Sequence, residues 1–225
     1  LVPGARYHNF SDFMGFPVPT NKNTWLNPPL PPLPHPAFQG IASHLSILAQ
    51  REVLLHFPYQ QYQYIPDLIC EAAENPLILE IKISLYRVAS NSAVIEALLL
   101  ACAQAKQVTV FIEAKARFDE AANLEAGKRL EQAGAKVLYS YPGIKVHAKM
   151  LLILEREEPE GTKKKGVAFL CTGNFNEKTA RIYADHGLLT NNPDLVADTA
   201  RVFDLLEGKT LLPRCKKVIV APYNL

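Results

Sequence analysis

His147 and Lys149, with Ala148 between them, and the run Thr172-Gly173-Asn174-Phe175-Asn176 supply residue types from which phosphoryl chemistry can be built. On an extended segment, residues two apart project to the same side. An imidazole then stands beside an ammonium group. With an unperturbed pKa near about 6.5, imidazole is substantially neutral and nucleophilic at neutral pH. Attack on a terminal phosphate would give a phosphohistidine and divide a transfer into two displacements. Lys149 could neutralise charge gathering on the phosphoryl oxygens. Gly173 permits close backbone approach, and the Asn176 amide can orient the imidazole or donate to an oxygen. Each half alone is a weak signal, since a lone His-x-Lys is more often a strand-edge pair and a Gly-Asn turn more often structural. Together they gain weight, because both fall at the ends of strands expected to form one hairpin.

Arg87 sits at the end of an apolar run, and Arg117 lies just past the next one. In open α/β sheets ligands collect beyond the carboxyl ends of strands. Two guanidinium groups there could grip phosphate bidentately. The competing reading is a pair of surface ion pairs with Glu113, Asp119 or Glu120. Lys145 and Lys82 could widen the basic patch. Tyr183, after Lys178 and Arg181, could stack on a base, or be a half-buried strand residue. His56 could approach the same sheet edge, although a structural role is favoured. The run Lys163-Lys164-Lys165 faces Glu155, Glu157, Glu158 and Glu160 across an expected turn, and reads as a solvated loop.

Elements to position these groups follow from apolar periodicity. Strands are expected at 53–57, 77–86, 108–113, 136–139, 146–154, 167–171 and 187–190. Helices are expected at 65–74, at 92–104 with Asn91 or Ser90 as cap, at 121–133 ending at Gly134, and at 193–206 with Pro193 in its first turn. Strand and helix alternate through the middle. The expected fold is therefore α/β, with a mixed, largely parallel sheet plus an antiparallel hairpin that carries His147.

The bulk numbers limit the classes of function. The chain has 225 residues, 48% hydrophobic and 20% charged, with a net charge of only +2. Any anion site must therefore be a local cluster, and global charge does not call for nucleic acid. Cys70, Cys102, Cys171 and Cys215 form no CxxC pair and read as reduced, buried thiols of a cytosolic protein. No apolar run reaches membrane-spanning length, and no signal peptide opens the chain. Nine of the 17 prolines fall within the first 36 residues. Residues 1–42 are thus expected to be a Pro-rich extended tail of a preceding domain, 43–212 the main domain, and 213–225 the start of a following one. A first residue Leu and a last stretch inside an apolar run suggest a fragment of a longer protein.

Taken in order, these motifs resemble the polyphosphate kinases of the larger bacterial type, whose catalytic region is phospholipase D-like. The matching stretches are Pro3 to Phe10, Leu54 to Tyr59, Lys82 to Val88, Ala116 to Glu120, Lys145 to Lys149 and Thr172 to Arg181. The resemblance implies a phospholipase D-like αβα layer domain. It implies that His147 is the autophosphorylated histidine, assisted by Lys149 and Asn176. Arg87 and Arg117 would hold phosphate oxygens that also bind Mg2+, and Tyr183 would contact the nucleotide. The reaction implied is reversible transfer of the terminal phosphate of ATP to inorganic polyphosphate, releasing ADP, in a cytoplasmic homo-oligomer that could lie peripheral to a membrane and takes no nucleic acid. Two departures stand out. Leu154 occupies the position where the phospholipase D pattern has Asp, and only one His-x-Lys half is present. A fragment holding one half is expected to be a poor catalyst alone. The alternatives are a phosphodiesterase using His147, or a non-catalytic polyanion cradle made of Arg87, Arg117 and Lys149.

Overall fold

Runs such as Met150–Leu154, apolar at every position, demand cover on both faces of a strand. The fold supplies it by placing one sheet between two helical layers. The computed structural model describes residues 27–28, 30–89, 91–113, 120–140, 145–156 and 165–223. Its strands are β1 (Val53–Phe57), β2 (Ile78–Leu85), β3 (Gln107–Ile112), β4 (Lys136–Tyr139), β5 (Lys149–Glu155), β6 (Gly166–Cys171) and β7 (Asp185–Thr190). They form one sheet in the order β1-β7-β6-β5-β2-β3-β4. The helices are α1 (His44–Leu48), α2 (Tyr64–Glu74), α3 (Ala93–Ala103), α4 (Glu120–Gln132) and α5 (Pro193–Leu206). Residues Pro32–Leu225 form a single compact unit.

The mixed αβα architecture is as expected, but the balance of strand directions is not. Only the β2–β3 and β3–β4 ladders are parallel; β1–β7, β7–β6, β6–β5 and β5–β2 are antiparallel. Parallel pairing needs a crossover, and only α3 and α4 provide one within the sheet. Between β6 and β7 the described helical structure is a single 3-10 turn, Thr179–Arg181, too short to cross a sheet face.

The larger core lies on one face, where α2, α3 and α4 cover Ile81, Ile83, Val110, Leu151, Ile153 and Phe169. On the other face α5 sets Val196, Val202 and Phe203 against Met150, Leu152 and Leu154. Burying each such side chain stabilises by about 1.5–3 kcal/mol relative to exposure. The cap of α3 is Ser92 rather than Asn91; its Oγ accepts from Ile95 N. Glu177 Oε1 in turn accepts from Ser92 Oγ (2.9 Å) and Val94 N (3.2 Å), tying the start of α3 to the loop after β6. Gly134, at φ +95°, closes α4 in the left-handed conformation.

Two boundaries move for reasons visible in the contacts. β5 starts at Lys149, so His147 lies just before the strand and not on it. The β5–β6 ladder begins at Lys149↔Cys171, and beside it Ser84 Oγ donates to Ala148 O and accepts from Met150 N, both at 2.9 Å. A side chain takes over where the β2–β5 ladder stops. Over 213–223, where a following domain is expected to start, the described residues form no strand. Asp198, fully buried on α5, accepts at Oδ2 from the N–H groups of Lys216, Lys217 and Val218 (2.8, 2.6 and 3.0 Å), so three successive donors are committed to one carboxylate. Of the Pro-rich start, residues 1–26 lie outside the described residues. Further on, Phe38 packs against Tyr64 and His44, with ring centroids 4.7 and 5.0 Å apart. The four cysteines are free, and they are half-buried rather than fully buried.

Candidate active site

Because neighbouring strands from β2 to β7 run antiparallel through β5 and β6, the ends of β2 and β6 and the starts of β5 and β7 meet at one sheet edge. That edge gathers Tyr86 and Arg87 after β2, Lys145 to Lys149 at the approach to β5, Thr172 to Asn176 after β6, and Asp185 at the start of β7. The hub is Tyr86, which is 8% exposed. His147 meets its ring edge-on, with centroids 5.1 Å apart at 78°. Lys145 Nζ and Lys149 Nζ each lie 5.3 Å from the ring centroid, and Arg87 Cζ lies 5.6 Å from it. An imidazole and three cations thus share one aromatic wall, held together by the negative face of the ring.

This convergence differs in origin from the pleat argument. His147 is not on a strand, so it is the common wall of Tyr86 that brings it to Lys149. Tyr86 carried a sequence signal of its own. Lys82, Ser84 and Tyr86 alternate with the core residues Ile81, Ile83 and Leu85, which puts Tyr86 on the face of Ser84.

The electrostatics favour the neutral form of the imidazole. His147 is exposed overall, yet partial burial is the largest influence on its ring, followed by Lys149, Lys145 and Arg87; all lower its pKa below 6.5. Lys149 is 5% exposed. Burial lowers its pKa; Asp185 opposes the shift, while Arg87 and Lys145 add to it. Burial raises the Cys171 thiol to about 11, despite an N–H from Gly173, so it stays protonated. Asp185 accepts from Thr172 Oγ1 (2.7 Å), and Gly173 is packed so closely on Asp185 that a Cβ there would fall within its carboxyl group. Glycine at 173 is therefore a spatial requirement.

Asn176 is buried, and its Oδ1 accepts from Lys178 N (3.0 Å) and Thr179 N (3.1 Å). That oxygen serves the turn, so a role toward a ligand falls to Nδ2. Tyr183 is 60% exposed just past the Thr179–Arg181 turn. Arg117 lies outside the described residues. Lys82 does not join the patch. It is 4% exposed in mid-strand, where Nζ meets Glu207 Oε1 at 2.5 Å and Glu80 Oε1 at 3.1 Å. Burial of Lys82 is tolerable because it is paired. His56 stacks on His186, its register partner across β1–β7, with centroids 4.3 Å apart at 10°. Leu154 packs in the apolar layer beneath α5. A cavity of about 570 Å³ adjoins the cluster; its lining runs from Lys145 and His147 to Met150, Leu206 and Val220.

Comparison with known proteins gives the class and then the family. Nuc, the phospholipase D family member from Salmonella typhimurium, matches with a TM-score of 0.52 at 13% identity, covering 70% of this chain and 92% of that one. The chain therefore has a phospholipase D-type fold. The family model for polyphosphate kinase C-terminal domain 1 matches residues 43–211. The polyphosphate kinase of Vibrio vulnificus (strain YJ016) is 42% identical over 224 residues, which is 100% of this chain and 31% of that protein. The crystal structure of polyphosphate kinase from Porphyromonas gingivalis matches with a TM-score of 0.83 at 42% identity, covering 97% of this chain and 36% of that one. The chain belongs to the polyphosphate kinase family, and it spans about a third of the length of the curated relatives it matches.

Proposed function

We propose that this domain carries the phosphoryl-accepting site of an ATP–polyphosphate phosphotransferase. The observation that carries the reading is the convergence of His147, Lys149, Lys145 and Arg87 on the Tyr86 ring. The unprotonated ring nitrogen of His147 attacks the terminal phosphorus of ATP. An N–P bond forms, the bond from that phosphorus to the bridging oxygen breaks, and ADP leaves with the electron pair. A terminal oxygen of polyphosphate then attacks the phosphohistidine, which lengthens the chain by one phosphate and frees the imidazole. Reversal makes ATP from ADP. Phosphoryl transfer of this kind depends on positioning and charge neutralisation. Lys149 and Arg87 supply the nearest fixed positive charge, with Arg117 assigned to the same task. Asn176 Nδ2 is a further donor, and exposed Tyr183 offers a stacking surface to the base.

Among the described residues no group of three or more His, Cys, Asp or Glu side chains converges to hold a metal ion. Arginine has no lone pair to offer a cation. Mg2+ would therefore be carried by the ATP phosphates and would supply charge neutralisation there, with Arg87 holding phosphate oxygens beside it. Assembly into homo-oligomers is assigned to the longer protein. A cytoplasmic location suits four free thiols. Among the described residues no helix is long and apolar enough to cross a membrane.

The test is labelling with γ-32P-ATP and Mg2+ of the longest polypeptide that contains this chain. Acid-labile, alkali-stable label that disappears in His147→Ala is expected. Absence of label, or label that survives His147→Ala, refutes the assignment.

A further inference from the structure

Two buried polar side chains behind the cluster take no part in the chemistry proposed. Glu113 is 1% exposed and Asn123 is 0% exposed. Burying a carboxylate or an amide is costly unless hydrogen bonds compensate, so their partners are informative. Asn123 reaches from α4 and donates through Nδ2 to the carbonyls of Tyr86 (3.0 Å) and Glu113 (3.2 Å). Its Oδ1 accepts from Val88 N (3.1 Å). It thus grips the backbone on both sides of Arg87 and joins it to the end of β3. Glu113 extends the constraint: Oε1 accepts from Ser140 Oγ (2.7 Å), and Oε2 accepts from the N–H of Val146 (2.9 Å), the residue before His147. Residues 145–148 belong to no strand, so regular pairing does not hold His147 in place.

We propose that Glu113 and Asn123 are positioning residues, a buried clamp that sets the separation of His147 from Arg87 across two strand ends. Arg87 is fixed through its flanking peptides, His147 through Val146, and the two are linked by the Asn123–Glu113 contact. For the use made of that separation, the proposal rests on the phosphohistidine reading above.

The test compares Glu113→Ala, Glu113→Gln and Ser140→Ala in the labelling assay, with an NMR titration of the His147 ring in the same variants. Misplacing a reacting group by about 1 Å costs about 100-fold, so Glu113→Ala should slow phosphorylation by about that factor, with the KM for ATP little changed. Glu113→Gln should restore most of the rate. Its Oε1 can take the Val146 N–H while the Ser140 hydroxyl turns to accept from Nε2. The His147 titration should move up toward about 6.5 in Glu113→Ala and stay lowered in Glu113→Gln. Wild-type rate and titration in Glu113→Ala overturn the proposal, as does a Glu113→Gln protein no better than Glu113→Ala. Should Glu113→Ala fail to fold, Ser140→Ala decides: a smaller loss of the same kind supports the clamp, and wild-type behaviour refutes it. If the unsubstituted protein forms no phosphohistidine, the functional reading falls, and the NMR titration alone judges the clamp.

Discussion

Replacing Tyr86 with Leu removes the wall on which the cluster is assembled. Cation–π contacts contribute about 0.5–1 kcal/mol at exposed sites and about 2 kcal/mol when desolvated. Lys149 is buried, Arg87 half-buried and Lys145 exposed, so the three contacts sum to about 3–5 kcal/mol of organisation. Only the share that differs between ground and transition states affects rate. Taking about half gives about 1.5–2.5 kcal/mol, which slows phosphorylation of His147 about 10- to 70-fold. Tyr86→Phe keeps the ring and its quadrupole, and should stay within about twofold of the parent rate. The smaller Leu also leaves a void beside the strand end and should cost about 1–2 kcal/mol of stability, read from thermal unfolding. Rapid-quench labelling of the two variants, scaled to the folded fraction, measures the effect. A Tyr86→Phe protein as slow as Tyr86→Leu would show that the hydroxyl matters and the ring does not. Full rate in Tyr86→Leu would show that the cations need no common wall.

Two further outcomes follow from the charges. Lys149→Met should raise the His147 pKa, because removing a neighbouring cation makes the imidazolium easier to form, and an NMR titration shows the direction at once. In the parent, the lowered pKa shifts the ring toward its neutral form, so the labelling rate should begin to fall at a lower pH than in Lys149→Met. The same shift makes His147 a group whose contribution to stability is complete above about pH 6.5 and is lost as pH falls through its lowered folded value. Glu207 offers a second pH test. Burial opposes its charge, but hydrogen bonds from Lys136, Lys82 and Lys209 take its pKa down to about 2 from 4.5. Its stabilisation should be full above about pH 4.5 and vanish as pH falls through about 2. Allowing for the exposure of Lys136 and Lys209, it should be worth about 2 kcal/mol. Chemical denaturation of Glu207→Gln should therefore show a deficit at pH 6 that closes by pH 2; an equal deficit at both would refute the ion-pair account.

Much of the domain was legible as pattern. The apolar runs that became β1, β4, β6 and β7, and the periodic stretches that became α2, α4 and α5, lie within a few residues of their expected places. Each has its own local cause, such as Gly134 after α4 or Pro193 opening α5. The direction of each strand was not legible in that way. It depends on which connections cross the sheet, and a loop with no helix long enough to cross, such as 172–184, turns back and pairs antiparallel. Lys82 shows the same limit on a smaller scale. Its spacing suited a basic patch, yet the partner that claims it, Glu207, lies at the far end of the domain sequence.

Residue types and order alone pointed to an imidazole, an ammonium group two residues on, and an arginine at a strand end, because charge and basicity belong to the side chain wherever it lies. Which groups share a pocket was a matter for tertiary structure. Tyr86 gathers three cations and His147 at one ring, Ser84 ties β2 to the backbone beside Lys149, and Glu113 and Asn123 bind the two arms from behind. Those relations join residues dozens of positions apart. No local preference encodes such separations; they arise only when the sheet order has brought the strand ends together.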